Sequence, residues 1–261
     1  MHMLPDQLFA LAGKTALVTG ASGGIGEMIA RGLVQRGVRT FITGRKADSI
    51  EAVAAALSAQ GECTAIVADV GTDEGRERLV AALAGEDRLD LLVNSAGTSY
   101  AAPVEAFSAG KFERVLRVNL SSPFGMVSAL LPNLRRAAGA DAHAAVINIA
   151  SIDAFRLPLW ESHAYAASKA GLAHMTRHLA RSLAADNITV NAIAPGLFPS
   201  AMTRFLFDED HPHHEEPQQI PLRREGRPDD IVGGVVYLAS PAGAYVTGVV
   251  LPISGGLATA E

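Results

Sequence analysis

Cysteine is almost absent from this 261-residue chain: Cys63 stands alone. An internal disulfide is thereby excluded, as is a cysteine-based zinc site within one chain, and a reducing compartment fits. Clustered positive charge is missing too. The net charge is −5 and the 22 lysines and arginines are scattered, so there is no footprint for nucleic acid or an anionic membrane. No apolar run approaches the roughly 20 residues that span a bilayer. The opening MHMLPDQLFALAGK has neither the basic start nor the apolar core of a signal peptide. Linkers, repeats and abrupt shifts of composition are also lacking. The expectation is one soluble, cytoplasmic domain over 1–261.

What is present is a rhythm. Short apolar runs recur at KTALVT (14–19), VRTFIT (38–43), CTAIVA (63–68), LDLLVN (89–94), AAVINIA (144–150), ITVNAIA (188–194) and GVVLPI (248–253). Several are apolar on both faces, as strands between two helix layers are. Helical periodicity lies between them: after GGIGE, Ile25, Met28, Ile29 and Leu33 recur at i, i+3, i+4 and i+8. Such alternation predicts an α/β fold of the Rossmann type, a doubly wound parallel sheet of about seven strands with helices on both faces. The least regular stretch, about 197–228, is expected to be a substrate loop or lid.

Two motifs suggest chemistry. KTALVTGASGGIGEMIARGLVQRG reads as strand, glycine turn and amphipathic helix. Gly20, Gly24 and Gly26 let backbone approach a pyrophosphate, and the helix start aims N–H groups at that anion. In HAYAASKAG (163–171), Tyr165 and Lys169 share a helix face, among residues small enough to admit ligands.

The glycine spacing T-G-x-x-x-G-x-G resembles the signature of the short-chain dehydrogenase/reductase family. The resemblance continues in order through ADV (68–70), NSAG (94–97), VNL (118–120), NIAS (148–151), YAASK (165–169), NAIAPG (191–196) and VTGVVLPISGG (246–256). It implies an oxidoreductase that moves hydride between nicotinamide and a carbonyl or secondary alcohol. Tyr165 would transfer the proton, with Lys169 lowering its pKa and holding the nicotinamide ribose. Ser151 would orient the substrate oxygen, and Asn119 would help hold a relay water.

The resemblance also assigns cofactor contacts. These are Gly20, Ser22, Gly24, Ile25 and Gly26 in the turn, Asp69 and Val70 at the adenine, and Asn94, Ala96 and Gly97 beside the cofactor. Pro195, Gly196, Phe198 and Ser200 would face the nicotinamide. NAD-specific relatives usually carry Asp where Gly44 stands. Arg45 follows instead, and a guanidinium can grip a 2′-phosphate, so NADP(H) is preferred while NAD(H) stays possible. The competing reading of Arg45 is a solvated loop cation.

Other histidines point elsewhere. HPHHEE (211–216) lacks the spacing of a zinc site and reads as a polar loop, and His174 and His178 read as a surface or interface pair; no metal is expected. Phe155, Leu157, Leu159, Trp160, Phe198, Phe205, Leu206 and Phe207 dominate the two specificity segments. They lean towards an apolar or 3-oxoacyl ketone, though they could equally pack a lid or an interface. NAIAPGLFPSAMTR resembles the 3-oxoacyl reductase and gluconate 5-dehydrogenase-like subgroup. The alternatives are a sugar or polyol dehydrogenase and a non-catalytic NADP sensor. Family members commonly assemble as homotetramers. Ser254 stands where the family often has Asp, which leaves the local C-terminal contacts open.

Overall fold

The computed structural model describes residues 5–139, 142–158, 160–203, 206 and 216–259. A single helical turn, α1 (Pro5–Leu8), precedes the alternation β1 (Thr15–Thr19), α2 (Gly24–Val34), β2 (Arg39–Gly44), α3 (Ala47–Ser58) and β3 (Cys63–Val67). The chain continues through α4 (Asp73–Ala82), β4 (Leu91–Asn94), α5 (Ala109–Leu116), α6 (Ser122–Ala137) and β5 (Ala144–Ile149). Last come α7 (His163–Leu183), β6 (Ile188–Pro195), α8 (Pro228–Ala239) and β7 (Val250–Ile253). All seven apolar runs became strands. The sheet is parallel throughout, in the order β3-β2-β1-β4-β5-β6-β7.

The strands are apolar on both sides because both sides are covered. Along β1, Ala16 and Val18 face one core and Leu17 the other. The first core takes Ile29 and Leu33 of α2, Ile50 and Leu57 of α3, and Ile231 and Val235 of α8. The second takes Leu79 of α4, Met126 and Leu130 of α6, and Leu179 of α7. Where α2 meets α8, a side chain on Gly32 would strike Val232, so the glycine sets the approach. Pro228 and Asp230 begin α8; the Asp230 carboxylate accepts the Arg227 N–H at 2.7 Å.

Strand order reverses between β3-β2-β1 and β4 onward, which opens a crevice above the carboxyl ends of the strands. The opposite, amino edge is closed. There Lys14 donates from Nζ to the Ala239 carbonyl at 3.3 Å, and the Asp90 carboxylate accepts from Thr15 N–H at 2.9 Å and pairs with Arg88. His143 is buried beside them.

The expected loop of 197–228 has a pinned base. Gly226 N–H donates to the Leu197 carbonyl at 2.9 Å, and Leu222 N–H to the Gly255 carbonyl at 3.0 Å. Leu206 and Ile220 pack with Ile152, Leu197 and Leu257. Leu159, Phe205, Phe207 and the histidines of 211–214 lie outside the described residues.

Candidate active site

The glycine turn is built by close packing. Gly20 has φ +70, and any Cβ on it would press into the backbone of Ala96; a Cβ on Gly26 would strike the Gly20 carbonyl. Thr19 completes the join, its hydroxyl accepting the Ser95 and Ala96 N–H groups at 3.1 Å each. The turn after β1 and the turn after β4 thus form one surface. They line a cleft of about 630 Å³ along the carboxyl edge, together with Ser22, Gly24 and Ile25, the β2 end at Gly44 and Arg45, and Asp69 and Val70 after β3. Ala96, Gly97, Pro195, Gly196, Phe198 and Ser200 line it as well.

Two expected residues stand elsewhere. Asn94 is buried and donates its amide to Asn148 Oδ1 at 2.9 Å; Asn148 in turn donates to Thr176 at 2.9 Å. Its side chain ties β4, β5 and α7 together and does not line the cleft. Asn119 lies in a π-helical turn, Arg117–Ser121, joining α5 to α6. Its amide exchanges two 2.9 Å hydrogen bonds with the Thr98 backbone and donates to Ser168 Oγ at 3.0 Å. Buried partners take both of its N–H donors and one lone pair of its oxygen, so the side chain braces the wall behind Gly97, and it is not among the residues lining the cleft.

Ser151, Tyr165 and Lys169 all line the cleft. Ser151 stands two residues beyond β5, whose Ile149 carbonyl accepts from Lys169 Nζ at 2.7 Å. Lys169 sits one turn below Tyr165 on α7, with Nζ 5.5 Å from the centre of the phenol ring. The expected depression of the Tyr165 pKa is not found in the protein without ligands. It is pushed up to about 12, because burial penalises the phenolate and the Asp153 carboxylate repels it; a hydrogen bond from Ser151 opposes both. Burial also draws Lys169 down to about 8, against the attraction of Asp153. Tyr165 is therefore a protonated acid at neutral pH.

A second lobe of about 710 Å³ shares Gly97, Ser151, Tyr165 and Gly196 with the cleft. Its apolar wall includes Tyr100, Trp160, Leu197 and Met202. Of the five described members of the expected apolar set, only Trp160 lines the lobe: Phe155 and Leu157 are exposed, while Phe198 and Leu206 are buried in cores. Packing explains the difference, since Phe198 lies against Gly226 at the loop base. Sequence reading missed Asp153 and Arg156, which line the lobe, and Lys46 and Arg114, which line the cleft. Lys46 directly follows Arg45, which alone was weighed; Asp153 and Arg156 stood in a segment weighed only for its apolar residues.

Ser200 keeps its hydroxyl at the cleft and uses it to accept Met202 and Thr203 N–H groups. Ser254 accepts the Ala258 N–H at 3.2 Å, so the C-terminal turn retains a cap. Among the described residues, no group of three metal-ligating side chains is found and no helix is long and apolar enough to cross a membrane. His174 and His178 are both exposed on α7.

Residues 20–258 match the family model described as "Enoyl-(Acyl carrier protein) reductase". The rhamnolipids biosynthesis 3-oxoacyl-[acyl-carrier-protein] reductase of Pseudomonas aeruginosa is 46% identical over 250 residues, covering 95% of this chain and 97% of that one. A solved structure, the Pseudomonas aeruginosa RhlG/NADP active-site complex, superposes with a TM-score of 0.92 at 44% identity, covering 99% of this chain and all of the other. The 2-dehydro-3-deoxy-D-gluconate 5-dehydrogenase of Bacillus subtilis is 35% identical, over 95% of this chain and 96% of its own.

Proposed function

The chain belongs to the short-chain dehydrogenase/reductase family, and from that premise we propose that it is an NADPH-dependent ketoreductase of 3-oxoacyl or similar ketones. The observation that carries the reading is the placement of Ser151 and Tyr165 where the cleft meets the lobe, with Lys169 beside them in the cleft. The 46% identity to a 3-oxoacyl reductase supports the substrate class.

The residues present fit the cofactor. The space that side chains on Gly20 and Gly26 would fill is taken by neighbouring backbone, so the turn keeps a bare floor at the start of α2, where N–H groups favour a pyrophosphate. Arg45 and Lys46 would hold the 2′-phosphate, Asp69 and Val70 the adenosine, and Tyr165 and Lys169 the nicotinamide ribose. When bound, NADPH supplies the hydride. Ser151 donates a hydrogen bond to the ketone oxygen and fixes its approach to Tyr165. Tyr165 then delivers its phenolic proton to that oxygen, and the ammonium of Lys169 stabilises the phenolate left behind. The high pKa of Tyr165 in the ligand-free protein keeps it loaded for reduction.

The second reading, a sugar or polyol dehydrogenase, is favoured by one observation: the lobe holds a charged pair, Asp153 and Arg156, able to meet hydroxyls. We further assign a lid role to part of 197–228, a cytoplasmic location and a homotetramer. Exposed Phe124 on α6, Tyr237 on α8, and Tyr245 and Val249 just before the last strand support the assembly, which light scattering checks. The substrate test is NADPH and NADH oxidation against 3-oxoacyl thioesters, simple ketones and keto-sugars. Turnover of 3-oxoacyl thioesters is expected. Activity confined to keto-sugars would reject the first reading.

A further inference from the structure

Ser151 opens a tight turn that carries more than its own hydroxyl. Asp153 N–H donates to Ser151 Oγ at 3.1 Å, Ala154 N–H to the Ser151 carbonyl at 3.0 Å, and Arg156 N–H to the Ile152 carbonyl at 3.1 Å. Those bonds hold Ser151, Asp153 and Arg156 within one coil of backbone, and all three line the lobe. Arg156 Nε stands 3.4 Å from Asp153 Oδ1, with the two side chains 15% and 6% exposed.

A charged pair in that position is expensive. Each ion gives up water, and an apolar pair of similar volume would line the wall without that loss. The rest of the wall, at Tyr100, Trp160, Leu197 and Met202, is of that apolar kind. Ligand pockets commonly combine an apolar lining with a few polar groups that fix orientation. A guanidinium whose charge is already balanced can donate to a neutral carbonyl oxygen without demanding an anion.

We propose that Arg156, steadied by Asp153, is a second anchor of the substrate lobe that binds an oxygen carried near the reacting ketone, as in a 3-oxoacyl thioester. The proposal rests on the ketoreductase reading and names what that site selects. Ser151 and Tyr165 engage the ketone oxygen, while Arg156 engages the acyl oxygen two carbons along. A ketone lacking that second oxygen leaves Arg156 without its ligand bond and is held by the apolar wall alone.

The test compares a 3-oxoacyl N-acetylcysteamine thioester with a methyl ketone of equal chain length, in wild type, Arg156→Met, Arg156→Lys and the double variant Asp153→Asn with Arg156→Met. The double variant should raise KM for the thioester about tenfold or more while KM for the methyl ketone changes less than about threefold. Arg156→Met should show the same KM pattern but a lower kcat on both substrates, because it strands the Asp153 carboxylate beside Tyr165, so the loss is read as the rise in KM. Arg156→Lys should recover part of the loss, because charge and donors return. The double variant removes the pair without stranding either charge, so it separates lost anchoring from misfolding; NADPH titration reports the intact cleft. Equal losses on both substrates, or none on the thioester, would overturn the anchor while leaving the ketoreductase reading standing. A wild-type enzyme that reduces neither ketone would remove that reading, and the anchor with it.

Discussion

Two lysines at opposite edges of the same sheet show how similarly perturbed charges can be differently placed. Lys14 stands just before β1 and Lys169 under the end of β5, and burial lowers the pKa of both, with a nearby carboxylate working the other way. Each donates to a backbone carbonyl, Ala239 for Lys14 and Ile149 for Lys169. By perturbation alone they are alike. The difference is what lies beside them: Lys14 meets Asp90, Arg88 and His143 in a closed edge, whereas Lys169 opens onto a cleft with a tyrosine one turn away. A shifted pKa marks a strained environment; only access and a reacting partner make it a site.

The comparison can be pressed with substitutions. The largest effect falls on the partner: Tyr165→Phe should cut ketone-dependent NADPH oxidation about 1,000-fold, while NADPH titration by fluorescence changes little. Unimpaired turnover would end the proposed mechanism. Lys169→Met should cost about 100-fold in kcat/KM, against a change within about twofold for Lys14→Met. If the Lys14 variant lost turnover as steeply, the two edges would not be functionally distinct.

A smaller loss is expected at the far end of the cleft, where Arg45→Ala should raise KM for NADPH about tenfold and leave NADH use unchanged. The smallest effect belongs to the closed edge and concerns acid stability. Burial and the charge of Lys14 hold the His143 pKa below its ordinary value. The unfolded chain therefore takes up, near the ordinary histidine value, a proton that the folded chain refuses, so stability falls as pH drops through that range. Urea unfolding at a series of pH values should show this slope in the wild type and a shallower one in His143→Gln. Turnover at neutral pH should be the same in both.

The same contrast explains what the sequence disclosed. Strands and the glycine turn were legible because their requirements are local: both faces of the central strands β1, β4, β5 and β6 are buried, and Gly20 and Gly26 answer to backbone a few residues away or to one neighbouring turn. Tyr165 and Lys169 were legible through helical spacing. Asn94 and Asn119 sit in the right motifs, but a motif does not say which way an amide turns, and theirs turn into buried hydrogen bonds. The substrate lobe was least legible. Its wall gathers side chains from 97–101, 151–165 and 195–203, and no single window displays that assembly. Phe155 and Leu157 read as specificity residues yet are exposed, and the Asp153–Arg156 ion pair interleaved with them went unweighed.

The hydrogen bond from Gly226 N–H to the Leu197 carbonyl has an architectural consequence. It brings Leu197 and Gly226 together at the rim, so the two ends of the intervening segment meet, while Leu206 and Ile220 within it pack back onto Ile152 and Leu257. For such a stretch, added length costs little, since closure entropy grows only slowly with loop size. Meanwhile the amide chain from Asn94 through Asn148 to Thr176 fastens β4, β5 and α7 independently of it. The rim and the sheet beneath it are thus fastened by separate sets of bonds, so a change of length between Leu206 and Ile220 need not disturb the strands and helix that carry Ser151, Tyr165 and Lys169.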